Sequence, residues 1–207
     1  MKGITDFGFI VKICGVTREV DALAAVEAGA HAIGFNFYRK SPRYVTPERA
    51  AEIVSRVPGD YLRVGVFVNA SREELDAIAA AVPLDIVQLH GTATQVAQRA
   101  WRAIPASRIQ ADVEPGFEAY LLDTTTPRYG GSGETFDWHL AAGFRHRAIL
   151  AGGLDASNVR HAISIARPCG VDACSRLESE PGKKDAISVR EFVKAAREAA
   201  RQMELEL

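Results

Sequence analysis

Phe9-Ile10-Val11-Lys12-Ile13-Cys14-Gly15-Val16-Thr17 is a short apolar run that ends on a thiol, a glycine and a helix-opening threonine. A strand that carries a reactive group at its tip, with glycine freeing the next turn, is how parallel barrels bring chemistry to one mouth. Cys14 has two readings at this point. It is a small buried hydrophobe, or a thiolate whose neighbours tune it to act as a base or nucleophile.

The pattern repeats along the chain. Ile10–Cys14, Ala32–Phe37, Leu62–Val68, Ile86–His90, Arg108–Ala111, Tyr120–Asp123, Ala148–Ala151 and Gly170–Cys174 all read as strands. Between them, Ala22–Ala28, Pro47–Val57, Glu73–Ala81, Thr94–Ile104, Ser157–Ala166 and Ser188–Met203 carry apolar residues at helical spacing. Ser71-x-x-Glu74, Thr92-x-x-Gln95 and Ser188-x-x-Glu191 are capping boxes, and Thr46-Pro47 puts proline at a first helical position. Strands alternating with helices predict a parallel sheet of right-handed βαβ units. Eight such strands in 207 residues predict a compact α/β fold, a (β/α)8 TIM barrel spanning 1–207 as one domain. An open doubly wound sheet is the alternative, but it would usually carry G-x-G-x-x-G where this chain has Cys14-Gly15-Val16-Thr17.

Two links are irregular. Only Asp112 to Ala119, with Pro115-Gly116 in the middle, separates the fifth and sixth runs, so the helix between strands 5 and 6 is expected to be shortened or replaced by a loop. A glycine-rich stretch, Tyr129-Gly130-Gly131-Ser132-Gly133, precedes a short helix near Phe136–Ala142.

Composition narrows the function. A net charge of −1 gives no broad electrostatic footprint for nucleic acid or an anionic membrane. Three irregularly spaced cysteines argue against a disulfide framework and for a reducing compartment. Cys169 and Cys174 have no histidine at metal-site spacing. Neither a signal-peptide pattern nor a membrane-length apolar stretch is present, so the expectation is a cytoplasmic protein acting on a small molecule.

The strand tips would converge on one mouth. They deliver Cys14, Asn36, Gln88 with His90, Asp123, Gly152-Gly153, and Asp172 followed by Cys174-Ser175-Arg176. Gly152-Gly153 makes either a tight turn or, with the turn after strand eight, a phosphate site. Asp123 is either a helix N-cap or a general acid whose burial keeps it protonated. Paired with Cys14, it would supply the acid and base of a proton-transfer isomerase. Arg43 is either solvated or a fork for carboxylate or phosphate. His90 is either a structural histidine or a substrate contact.

At these residues the sequence resembles the phosphoribosylanthranilate isomerases of tryptophan biosynthesis. The matching segments run in order along the chain. They are Val11–Thr17, Lys40-Ser41-Pro42-Arg43-Tyr44, Val64–Asn69, Val87-Gln88-Leu89-His90-Gly91, Leu121–Thr124, Gly130–Gly133 with Phe136-Asp137-Trp138, Leu150–Leu154, and Gly170-Val171-Asp172 with Pro181–Asp185. The resemblance implies an Amadori rearrangement of N-(5-phosphoribosyl)anthranilate without metal or organic cofactor. It implies Asp123 as general acid, Cys14 as general base and Arg43 as the partner of the anthranilate carboxylate, and the strand tips add Gln88, His90 and Asp172 as expected substrate contacts. Gly152, Gly153, Ser175 and Arg176 would hold phosphate, and the chain would act as a monomer or homodimer. The histidine-pathway isomerase that performs the same rearrangement has aspartate as both acid and base, so Cys14 speaks against it. A non-catalytic phosphate-binding barrel is the other alternative.

The chain departs from the family's strand-eight pattern, Asp-x-Ser-Ser-Gly-Val-Glu. Here it reads Asp172-Ala173-Cys174-Ser175-Arg176-Leu177-Glu178. If the family's glycine has positive φ, arginine at 176 would cost on the order of 1 kcal/mol.

Overall fold

A computed structural model of the chain describes residues 7–92, 96–109, 113–124 and 133–205. Eight strands form a closed barrel in sequence order: β1 (Ile10–Ile13), β2 (Ala32–Asn36), β3 (Leu62–Val68), β4 (Ile86–His90), β5 (Ala100–Pro105), β6 (Ala119–Asp123), β7 (Ala148–Leu150) and β8 (Gly170–Ala173). All neighbouring pairs are parallel, and β8 returns to β1 with Ile13 opposite Ala173. Outside the barrel pack α1 (Glu19–Glu27), α2 (Pro47–Arg56), α3 (Arg72–Ala81), α4 (Val159–Ala166) and α5 (Ala186–Leu205). A small antiparallel hairpin, β9 (Glu178–Glu180) with β10 (Lys183–Lys184), follows β8.

Side-chain alternation divides the core in two. Ile10, Ala32, Leu62, Val64, Ile86, Trp101, Ala103, Ala119, Leu121, Ile149 and Ala151 form one cluster. The opposite strand faces, with Val11, Ile33, Phe35, Phe67, Val87, Leu122 and Leu150, join helix residues such as Ile53, Ile163 and Phe192 in the second. The strands are buried on both faces, as expected of a parallel sheet wrapped in helices.

Two helix entries follow their predicted caps. Thr46 accepts from the Arg49 amide at 3.2 Å, and Ser71 accepts from Glu74 at 3.2 Å. The last helix differs: it starts at Ala186, and Asp185, not Ser188, is the cap, accepting from the Ser188 amide at 2.7 Å. Thr17 opens no helix; its hydroxyl donates to the Gly182 carbonyl at 2.6 Å.

The fifth strand is the main correction. Arg108–Ala111 is not that strand: Arg108 closes a 3-10 turn, Ala106–Arg108, and 110–112 lie outside the described residues. The strand is Ala100–Pro105, inside the segment whose alanine content predicted the helix Thr94–Ile104. Ala100-Trp101-Arg102-Ala103-Ile104 suits either period, and tertiary pairing decides. β4 needs a neighbour, found in Val87↔Ala100 and Gln88↔Trp101, and Trp101 becomes fully buried. Gln95 of the presumed capping box lies outside the described residues. Only the 3-10 turn and a loop are described between β5 and β6, as the short link there led one to expect. The glycine-rich stretch is described only at Gly133, and the short helix beyond it is a 3-10 turn, Trp138–Ala141, capped by Asp137.

Candidate active site

The C-terminal strand ends open on one cavity of about 500 Å³. Cys14, Arg43, Gln88, His90, Asp123, Gly152, Gly153, Asp172, Ser175 and Arg176 all line it, so every residue singled out from the sequence is brought together. Asn36, Tyr38, Lys40, Ser41 and Cys174 complete much of the wall.

Each side chain is placed by a strand tip or the loop leaving it. Cys14 follows β1 and is buried, 9 % exposed. Gly34 on β2 leaves room for its sulfur, since a Cβ there would stand 2.8 Å from Cys14 Sγ. Beneath the thiol, Lys12 donates to Asp172 at 2.9 Å across the β1–β8 seam, with both side chains buried. Burial alone would lower the Lys12 pKa, but the charges of Asp172 and Cys14 hold it above the usual lysine range. Lys12 was invisible as a site residue in a run that otherwise reads as core. Its spacing of two from Cys14, which puts both on one strand face, was the available signal.

Asp123 ends β6. Burial raises its carboxyl to about 6, helped by the charge of Asp172 and opposed by the Thr124 amide and Lys12. The Asp123 Oδ1 accepts from the Thr124 amide at 2.8 Å, and the chain does not enter a helix there. His90 is hydrogen-bonded to Gln88 at 2.8 Å between the two side-chain nitrogens. Burial, with the charges of Lys12 and Arg102, lowers its pKa to about 3, so the ring is neutral. The buried Gln88 Oε1 has no protein partner among the described residues.

Arg43 occupies the loop after β2, but part of its fork is already engaged. Nε donates to Glu178 at 2.9 Å and Nη2 at 2.7 Å, leaving Nη1 as the donor this pair does not use. Glu178 also accepts from Lys184 at 2.8 Å. Glu178 and Lys184 were missed from sequence because they sit on a hairpin beyond the last barrel strand, where a charged residue reads as solvated.

Gly152 and Gly153 have φ of +82° and +59°, a region that glycine enters without strain. Beside them, Arg176 lies in the 3-10 turn Ser175–Leu177, and the only non-glycine residues with positive φ among those described are Asn69 and Arg167. The backbone strain anticipated at 176 is therefore absent. Arg176 donates to the Gly133 carbonyl at 2.9 Å and pairs with Asp155 at 2.7 Å, tying together the loops after β6, β7 and β8. Among the described residues, no group of three or more His, Cys, Asp or Glu is placed to hold a metal ion.

A closed (β/α)8 barrel whose mouth sets a thiol and a half-buried carboxyl around one cavity defines an enzyme of the barrel isomerase class. The comparisons name it more closely. The model of the N-(5'-phosphoribosyl)anthranilate isomerase family matches residues 11–195. An isomerase of that name from Solibacter usitatus is 50 % identical over 199 residues, 92 % of this chain and 98 % of its own. The crystal structure of the Thermotoga maritima phosphoribosylanthranilate isomerase superposes with a TM-score of 0.81 at 41 % identity, covering 92 % of this chain and 99 % of that one. A further solved isomerase, bound to reduced 1-(o-carboxyphenylamino)-1-deoxyribulose 5-phosphate, superposes at 0.78 with 38 % identity and the same coverage. The chain belongs to the N-(5'-phosphoribosyl)anthranilate isomerase family.

Proposed function

We propose that the chain converts N-(5-phosphoribosyl)anthranilate to 1-(2-carboxyphenylamino)-1-deoxyribulose 5-phosphate, with Asp123 as general acid and Cys14 as general base. The observation that carries this reading is that a carboxyl raised by burial and a thiol share one cavity while standing on different strands, β6 and the end of β1. Asp123 protonates the furanose ring oxygen, and the ring opens to an imine on the anthranilate nitrogen. Cys14 then removes the C2 proton, and the resulting enol tautomerises to the ketone. The substrate's own nitrogen takes up the electron pair, so the chemistry asked of the protein is proton transfer, with each step worth roughly 10²- to 10⁴-fold.

Binding divides along the cavity. Gly152, Gly153, Ser175 and Arg176 receive the phosphate, whose binding energy orients the sugar. Arg43 meets the anthranilate carboxylate through the donor that Glu178 does not take. Gln88 Oε1, buried without a partner, accepts from a substrate N–H or hydroxyl, with neutral His90 beside it and Asp172 below. We read the chain as a cytoplasmic monomer or homodimer that needs no nucleic acid, metal or cofactor; no described helix is long and apolar enough to cross a membrane.

The test is loss of the substrate's fluorescence on turnover. Cys14→Ala and Asp123→Ala should each abolish conversion while circular dichroism stays native. Full activity in either variant overturns the assignment, and an inactive wild type would favour a non-catalytic phosphate-binding barrel.

A further inference from the structure

β1 and β8 close the barrel side by side, and each is followed by a cysteine. Ile13 lies opposite Ala173, and the Cys14 amide donates to the Ala173 carbonyl at 2.9 Å. Cys14 and Cys174 both line the cavity, so two thiols stand at adjacent, in-register strand tips. Two glycines make room for the pair: besides Gly34 next to Cys14, a Cβ on Gly15 would stand 2.9 Å from Cys174 Sγ.

The charges around the pair are unequal. Lys184 donates to the Cys174 carbonyl at 3.1 Å and to its sulfur at 3.6 Å, and the charge of Arg43 also acts on that thiol. Glu178, which accepts from both cations, is the opposing charge. Cys14 feels Lys12 on its own strand and Asp172 on β8, while Asp123 on β6 and neutral His90 on β4 complete the surroundings. The neighbouring Cys14 thiol, then Lys184 and Arg43, lower the Cys174 pKa to about 6, against its burial. The Cys174 thiol and burial push Cys14 up. The two shifts run in opposite directions, so Cys174 is the thiol of the pair that ionises first.

We propose that Cys174 is the positioning residue that lets Cys14 act as a base, by accepting the Cys14 proton as Cys14 takes a proton from substrate. The inference rests on the acid–base reading of Cys14 given above. In the step, the substrate C2–H bond breaks and a new Cys14 S–H bond forms. The proton already on Cys14 moves to the Cys174 thiolate. The C2 electron pair becomes the C1=C2 double bond, and the imine π pair settles on nitrogen. No oxidant or reductant enters. A serine hydroxyl at position 174 could not hold the charge near neutral pH.

The experiment is kcat/KM against pH for wild type, Cys174→Ser and Cys14→Ala. In wild type the acid limb should fall near pH 6. In Cys174→Ser the base should titrate toward the ordinary thiol value of about 8.5, so kcat/KM relative to wild type should fall roughly 30-fold at about pH 7 and little at about pH 9, the Asp123 ionisation being common to both. An unchanged profile, or an equal loss at every pH, overturns the proposal. Should Cys174→Ser not fold, thiolate absorbance of the wild type decides: one thiolate per chain should form near pH 6, and two independent titrations near 8.5 would refute the relay. Cys14→Ala separates the two claims, because an active Cys14→Ala removes the catalytic reading itself. A dead Cys14→Ala with an unshifted Cys174→Ser removes only the relay.

Discussion

In the proposed mechanism Asp123 and the thiol pair must work in opposite protonation states. Under the proposed relay the base is competent only once Cys174, at about 6, has ionised, so activity falls as pH drops through that value. The acid is competent only below its own, also about 6, so activity falls as pH rises through it. The kcat/KM profile of the wild type should be a narrow bell with its maximum near pH 6. The alkaline limb of kcat should lie higher, because bound substrate excludes water and adds phosphate charge, both of which favour the protonated carboxyl. Stopped-time assays between about pH 4.5 and pH 9 check this, and a flat plateau across that range would contradict it. Cys14, Asp123 and the paired glycines were legible because each stands at the end of an apolar run. Lys12, Glu178 and Lys184 were not, because a buried charge is recognisable only by its partner, and the partners lie 160, 135 and 6 residues away.

Elements were read well where one period dominated and poorly where two fitted. α2 and α3 begin with a capping side chain followed by helical spacing, and both fall within a residue or two of expectation. β5 failed because alanine-rich sequence with one tryptophan satisfies helix and strand alike, and only the open edge of β4 chose between them. Loops carry the same lesson for the phosphate end of the cavity. Gly153 has φ of +59°, and a Cβ there would stand 2.7 Å from the Glu134 backbone, in the loop after β6. Gly153→Ala should therefore push the two loops apart. Left-handed alanine costs on the order of 1 kcal/mol before any clash. Since 1.4 kcal/mol is tenfold in affinity, we expect KM to rise about tenfold with a smaller change in kcat. Steady-state kinetics read the split, and an unchanged KM would show that this turn does not grip the substrate.

The whole barrel depends on the seam where its last strand meets its first. Lys12 and Asp172 pair there, at 0 % and 7 % exposure. Lys12→Met leaves Asp172 buried without its cation and should cost about 3–5 kcal/mol at neutral pH. In that variant the Asp172 carboxyl, already pushed up by burial and the thiol charge, rises further above its unfolded value. Such a group is protonated in the fold and ionised in the unfolded chain, so stability is lost as pH rises between the two values. Urea unfolding should show a smaller deficit at about pH 5 than at about pH 8, and an equal deficit at both would mean that Asp172 stays charged without Lys12. By itself, the sequence determined that strands and helices alternate, that eight tips meet at one mouth, and that a thiol, an acid and a glycine pair stand among them, since periodicity, caps and turns are local. Only the tertiary structure decided which segment is the fifth strand, that Arg176 ties three loops without strain, and that Cys174 stands beside Cys14 where β8 meets β1. Those outcomes depend on register and on charges brought together across the closed barrel, and no window of sequence contains both partners.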